Sequence, residues 1–301
     1  MTNITKTRKI YYFYLAGILF FTLFISNSFA GSDNESIRII VTPQQIFQGD
    51  VVVLTILPTP YVTSAKYIQN NRAVPFYYDN STHAYTAVLG IDLESLPGVH
   101  GINIKTFTAS GLEINNNIDL LVQKKDFQTQ HLTLPESKVT LSGNNLARQE
   151  REQAIVNRIF LNISSEKFRN TSFIKPLQGI VATPFGVQRF MNNKPKNAHS
   201  GVDFKAPAGA PVVASNDGII SYTGEHFFSG NSIFIDHGLG IFTMYFHLSS
   251  ILVKPGEKVK KGNPIGLVGS TGRSTGPHLH WGMRINNQRV DPLTLPGSFK
   301  E

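Results

Sequence analysis

His199-Ser200-Gly201-Val202-Asp203 opens, and His278-Leu279-His280-Trp281 closes, the stretch around which the rest of the chain is organised. Between them stands His247, within Met244-Tyr245-Phe246-His247-Leu248. Six of the nine histidines fall in this stretch, and no cysteine competes with them for a metal. Successive side chains of a β-strand point to opposite faces. His278 and His280 therefore share a face if their segment is extended, and so do His199 and Asp203. A catalytic zinc site takes three protein ligands and keeps a fourth position open. Two histidines and one carboxylate meet that count and leave two histidines over for proton transfer. A lone H-x-H or H-x-x-x-D carries little information. Two such pairs and a third histidine inside one β-rich segment point to a metal centre.

Outward from this stretch the texture stays β. Gly218-Ile219-Ile220-Ser221-Tyr222, Ser232-Ile233-Phe234-Ile235-Asp236, residues 241–248 and Pro264-Ile265-Gly266-Leu267-Val268-Gly269 are short apolar runs separated by glycine turns. Upstream, Ile155, Val156, Ile159, Phe160 and Ile163 mark one face of a helix spanning 146–163, with Asn144 or Asn145 as its cap. Arg148, Glu150, Arg151, Glu152 and Arg158 read as its solvated face. Further upstream, β-branched runs at 37–41, 51–57, 84–89, 102–107 and 118–122 alternate with Gly, Pro and Asn clusters. That spacing suits a small antiparallel sandwich of immunoglobulin-like type. His83, His100 and His131 lie there singly and read as surface or packing residues.

Residues 1–30 have the build of a secretory signal. Lys6, Arg8 and Lys9 precede an apolar segment at 10–25, and Ser28-Phe29-Ala30 offers small residues where a signal peptidase reads. The apolar run falls short of the ~20 residues of a spanning helix, so cleavage after Ala30 is expected and no membrane span thereafter. The net charge of +8 then drops to about +5, a mild basicity suited to an anionic polymer such as a cell wall. No dense Lys/Arg patch interleaved with aromatics occurs, which argues against nucleic acid. Without cysteine, disulfides, zinc ribbons and thiol catalysis are excluded.

The segment 173–292 resembles peptidase family M23, the LytM or lysostaphin type of zinc endopeptidase. The resemblance is carried by Phe185-Gly186, His199-Ser200-Gly201-Val202-Asp203, Gly230-Asn231, Ile235-Asp236-His237-Gly238, Tyr245-Phe246-His247-Leu248, Val253-Lys254-Pro255-Gly256, the run from Gly269 to Trp281, and Val290-Asp291-Pro292, in family order. It implies that His199, Asp203 and His280 hold one zinc ion, and that His247 and His278 are the unligated histidines acting on water, carbonyl and leaving amine. Gly272 and Gly276 match turns that shape the groove. Gly201, Gly238, Gly266 and Gly269 are expected to serve backbone geometry. His226, His237 and Trp281 are expected to be structural, the last packing beneath the site.

The expected organisation is mainly β: a signal peptide at 1–30, an N-terminal sandwich at 31–125, a linker with an amphipathic helix at 126–171, and an M23 domain at 172–301. The N-terminal half bears a weaker resemblance to the β domain preceding this catalytic domain in some Gram-negative wall hydrolases. The implied activity is hydrolysis of peptide cross-links in peptidoglycan, with D-Ala–meso-diaminopimelate bonds favoured, in the periplasm or cell envelope. The alternative is a non-catalytic relative that activates a cell-wall amidase. The sandwich and the linker helix are placed so that either could cover the groove.

Overall fold

A computed structural model describes residues 37–133, 143–161, 163–169 and 172–295. The expected signal segment lies outside the described residues. The N-terminal half is built from two facing sheets. One runs in the order Ile39–Thr42, Val51–Ile56, Ala84–Gly90, Tyr77–Asp79; the other runs Ile46–Phe47, Glu113–Gln123, Gly98–Thr108, Val62–Gln69, Arg72–Pro75. Period-two alternation sends Val52, Leu54 and Ile56 inward to meet Tyr67, Ile104 and Leu120 from the opposite sheet, all of them buried. The expected strands at 84–89, 102–107 and 118–122 are present with longer ends, and the one at 51–57 ends a residue earlier, at Ile56.

Three short strand pairs have no apolar run to announce them. Each turns on Asn-Asn. Asn70-Asn71, Asn192-Asn193 and Asn286-Asn287 all have positive φ, between 49° and 67°, and link Gln69 to Arg72, Met191 to Lys194 and Ile285 to Gln288. Two consecutive residues at positive φ make the hairpin turn whose twist matches that of the strands, and asparagine tolerates that region. The dipeptide was the available signal for strands such as Arg72–Pro75, too short to show an alternation.

The C-terminal half is dominated by a ten-stranded sheet. Its main path runs Ile180–Thr183, Gly201–Lys205, His278–Ile285, Ile241–Ile251, Gly230–Asp236, Gly218–His226, Lys258–Val259. One face closes over a core that includes Val202, Phe204, Ile233, Tyr245, Leu279 and Trp281. The halves are joined by more than a tether. Arg289 grips Asp92 with Nη2 to Oδ1 at 2.5 Å and Nε to Oδ2 at 3.1 Å. Asn286 Nδ2 donates to Gln69 Oε1 at 3.2 Å, and Val51 packs with Ile285 and Val290.

The connecting segment is likewise built into the C-terminal half. Thr129–Leu132 pairs in parallel with Gln188–Met191, and Phe127 meets the Phe185 ring edge-on. The helix runs Gly143–Leu161, so Asn144 and Asn145 lie inside its first turn instead of capping it. Phe160 is buried against Phe234 and Phe242, with Val156 and Ile159 beside it, whereas Ile155 stays exposed. The expected solvated face is partly a docking face. Glu152 takes Arg148 on Oε1 at 2.6 Å and the Phe227 backbone N–H on Oε2 at 2.8 Å. No described helix is long and apolar enough to cross a membrane.

Two adjacent buried residues give this sheet an unusual acid response. His237 Nδ1 donates to the Asp217 carbonyl at 2.7 Å, and Nε2 lies 2.7 Å from Thr243 Oγ1. Burial lowers its pKa to about 4. Asp236 accepts the Gly238 backbone N–H, and burial raises its pKa from 3.8 to about 6. A lowered histidine gives up stability as pH falls from 6.5 through about 4. A raised carboxyl gives it up as pH rises from 3.8 through about 6. The two oppose each other between those limits. Asp236→Asn keeps the acceptor and removes the buried charge. It is expected to stabilise the protein by roughly 2–3 kcal/mol at pH 7 and by almost nothing near pH 4. Unfolding midpoints of the two proteins across that range test this, and an equal gain at both pH values would contradict it.

Candidate metal centre

Three strands bring the site together. Asp203 and His280 are direct cross-strand partners in the antiparallel pairing of Gly201–Lys205 with His278–Ile285, a relation that puts their Cβ atoms about 4.5–5.5 Å apart. His199 stands two residues before its strand. Its N–H donates to the Val187 carbonyl at 3.0 Å and its carbonyl accepts from Gly186 at 2.8 Å. The result is a triangle: His199 Nε2, Asp203 Oδ1 and His280 Nδ1 are each 2.9 Å from the other two. All three residues are buried.

The donor chemistry of this triangle fits a metal. His199 Nδ1 lies 2.8 Å from the Pro184 carbonyl, which can only accept, so Nδ1 carries the proton and Nε2 is a lone pair. That lone pair faces a carboxylate oxygen and a second imidazole nitrogen, and one proton cannot serve all three contacts. A cation can. Tetrahedral zinc with bonds of ~2.0–2.1 Å separates its ligand atoms by roughly 3.3 Å, close to the spacing seen. The three residues are the one group of potential ligands found among the described residues. Burial pushes the Asp203 pKa up, but its close contacts with the His199 and His280 rings outweigh it and hold the carboxyl well below its usual range. Burial lowers the His280 pKa, with Asp203 opposing.

His247 and His278 lie alongside, their ring centroids 4.7 Å apart. His278 Nδ1 donates to the Gly276 carbonyl at 2.9 Å, and its Nε2 is 3.9 Å from Asp203 Oδ1. His247 Nδ1 donates to the Thr271 carbonyl at 2.8 Å. Both rings therefore keep Nε2 as an acceptor. Burial, then the neighbouring His280, lowers the His247 pKa to about 4, which leaves its ring neutral at pH 7.

Strand alternation alone would misplace His247. Tyr245 points into the core and Phe246 stacks on His280 at 5.3 Å, so a regular strand would turn His247 to the core side with Tyr245. Instead His247 has φ of 63°, its N–H donates to the Ser229 carbonyl, and the pairing with Gly230–Asp236 shifts register between Asn231 and Ile233. This irregularity redirects the ring toward His278. Bulges next to active sites do this repeatedly, and a left-handed non-glycine residue is a strained position held by its surroundings.

The glycines divide differently from expectation. Gly238 has φ of 79° and needs its freedom for the backbone. Gly201 needs it for space: a Cβ there would lie 2.6 Å from His280 Nε2 and 2.5 Å from the Trp281 carbonyl. Gly269 is equally confined, with the Ser249 nitrogen 2.3 Å from such a Cβ. Trp281 is buried beneath the site beside Phe204. His226 and His237 lie outside the metal group; His226 Nε2 is 3.1 Å from Tyr222 Oη. Arg189 was not anticipated. Its Nη2 reaches Asp203 Oδ2 at 3.4 Å, and its place one strand away from the ligand motif gave no spacing signal. A cleft of about 170 Å³ adjoins the centre, lined by Ser200, Phe228, Met244 and Phe246 of the sheet half and by Glu152 and Gln153 of the helix.

The model of peptidase family M23 matches residues 197–292. A DD-carboxypeptidase/endopeptidase, Mpg, of Neisseria meningitidis is 44% identical over 115 residues, 38% of this chain and 26% of that protein. The peptidoglycan DD-endopeptidase ShyA of Vibrio cholerae is 47% identical over 95 residues, 32% of this chain and 22% of that protein. The chain thus spans about a quarter of the length of these curated relatives. A peptidase M23 crystal structure from Pseudomonas aeruginosa matches far more: 32% identity, a TM-score of 0.65, 85% of this chain and 96% of that one.

Proposed function

The chain belongs to peptidase family M23, and on that premise we propose that it is an exported zinc endopeptidase that hydrolyses peptide cross-links of peptidoglycan. We assign His199, Asp203 and His280 as the zinc ligands and His247 and His278 as the proton-handling pair. The domain division proposed is a sandwich at 31–125, a linker at 126–171 and the peptidase domain at 172–301. The observation that carries the reading is the 2.9 Å triangle of His199, Asp203 and His280, flanked by two histidines whose Nδ1 atoms are both tied to carbonyls.

Zinc held in this set supplies Lewis acidity toward a water and a carbonyl oxygen. The protein's own part follows from the hydrogen bonds. With Nδ1–H fixed, each of His247 and His278 offers Nε2 to the open side. One Nε2 takes a proton from the attacking water as the new C–O bond forms, and that proton passes to the leaving amine as the C–N bond breaks. The other, carrying on Nε2 a proton taken up from bulk solvent before the step, donates it as a hydrogen bond to the charged oxygen of the tetrahedral intermediate and keeps it through the turnover. Phe246, flat against His280, fixes the third ligand's ring while Arg189 occupies the second oxygen of Asp203.

Relatives named for DD-endopeptidase activity on peptidoglycan support D-Ala–meso-diaminopimelate bonds as the target and an address outside the cytoplasm. The alternative, a non-catalytic amidase activator, would not need a filled ligand set, and here every position is filled. The test is digestion of purified sacculi followed by mass spectrometry of the muropeptides. Cross-linked dimers are expected to fall to monomers with the zinc-loaded protein, to persist after treatment with a chelator, and to fall again when zinc is restored. Dimers left intact by the zinc-loaded protein would overturn the assignment.

A further inference from the structure

The charges around the groove do not balance. Asp203 is committed to the ligand triangle. Glu152, the acid in the adjoining cleft, is committed to Arg148 and the Phe227 N–H. Against these stand Arg189, whose Nη2 touches Asp203 Oδ2 at 3.4 Å, and Arg273. Arg273 is exposed on the loop between Gly269 and His278, two residues past Thr271, whose carbonyl holds His247. Its backbone N–H donates to the Phe228 carbonyl at 2.8 Å, and its guanidinium lies 4.1 Å over the Phe228 ring. Phe228 also lines the cleft beside Ser200 and Phe246. Among the described residues no carboxylate pairs with Arg273, and the charge that acts on it is the like charge of Arg189.

A guanidinium stacked on an aromatic face is held in orientation while its N–H donors, which lie in its own plane, stay free. Those donors form a fork that matches a carboxylate in bidentate fashion. We propose that Arg273, stacked on Phe228 beside the loop that holds His247, is a carboxylate-binding residue that selects peptides carrying a free carboxylate next to the scissile amide. The proposal rests on the peptidase reading above and deepens it by naming the residue that reads the free carboxylate of anionic stems, so that amidated stems are discriminated against.

The test is built to read binding without turnover. Two peptide cross-link mimics are made with the scissile amide reduced to an uncleavable amine, identical except that one bears the free carboxylate and the other its primary amide. Calorimetry with the zinc-loaded full chain gives their Kd ratio. The carboxylate peptide is expected to bind about tenfold more tightly, with an advantage that shrinks as salt rises. Arg273→Met, which keeps the stem over Phe228, is expected to bring the ratio close to one, and Arg273→Lys to leave an intermediate ratio because charge remains without the fork. Unfolding midpoints and zinc content verify that the variants are intact. Equal affinity of the wild-type chain for both peptides, no binding of either, or a ratio unchanged by Arg273→Met would each overturn the proposal. Sacculus digestion by the same wild-type preparation reports separately on the peptidase reading.

Discussion

His280→Ala is expected to abolish hydrolysis of sacculi and to release the metal together with it. His280 is the proposed ligand on which most of the centre converges. Its Nδ1 is 2.9 Å from both His199 Nε2 and Asp203 Oδ1, its ring lies flat against Phe246 at 5.3 Å, and Gly201 leaves the slot it fills. Alanine removes one of three protein donors, and zinc left with two cannot keep the three-ligand geometry of a catalytic site. His247→Ala and His278→Ala make the contrast. Neither ring belongs to the ligand triangle, so each variant is expected to retain about one zinc per chain while losing on the order of 10²–10⁴ in rate. Metal content and muropeptide release measured on the same preparations separate the two outcomes. A His280→Ala protein with full zinc, or a His278→Ala protein that lost its zinc, would mean that ligand and proton-handling roles are assigned wrongly.

The second large effect is expected one residue further on, in stability instead of chemistry. Trp281→Ala removes the largest of the fully buried side chains. Alternation along His278–Ile285 turns Leu279 and Trp281 to the core while His278 and His280 face the groove. Trp281 packs beside Phe204, with their ring centroids 6.2 Å apart. Truncation there costs the transfer free energy of an indole and leaves a cavity the sheet cannot close, together about 3–5 kcal/mol. The denaturation midpoint should fall accordingly, and zinc should bind more weakly because the strand under His280 loses its support. A drop below about 1 kcal/mol would show that the core repacks around the loss. Trp281→Phe, which keeps an aromatic ring in the same core, is expected to recover much of it.

Several of these elements could be read from residue order. The long apolar runs at 51–57 and 102–107 announced their strands because each had to bury one face. His278 and His280 could be paired because two residues on a strand share a side. The helix was legible from Val156, Ile159 and Phe160, but not its docking. Arg148 and Glu152 look like solvent-facing charges in the chain, and only the approach of Phe227 makes Glu152 an anchor. Strands of mixed polarity were missed, although three Asn-Asn dipeptides stood at the turns.

Residue types and their spacing in the chain were enough to single out His199, Asp203 and His280, whose donor atoms the fold brings within 2.9 Å of one another, because short strands leave such side chains few directions to face. They were also enough for family membership, since the motifs recur in order along 197–292. The tertiary structure decided the rest. His247 reaches His278 because a left-handed residue and a register shift override the alternation that would have buried it. Gly201 is small because a histidine ring 81 positions from His199 occupies the space. Arg273 is held over Phe228 though 45 residues separate them. Periodicity is a local property of the chain; the contacts that aim a side chain or leave a charge without a partner come from distant segments, and they exist only once the sheet has closed.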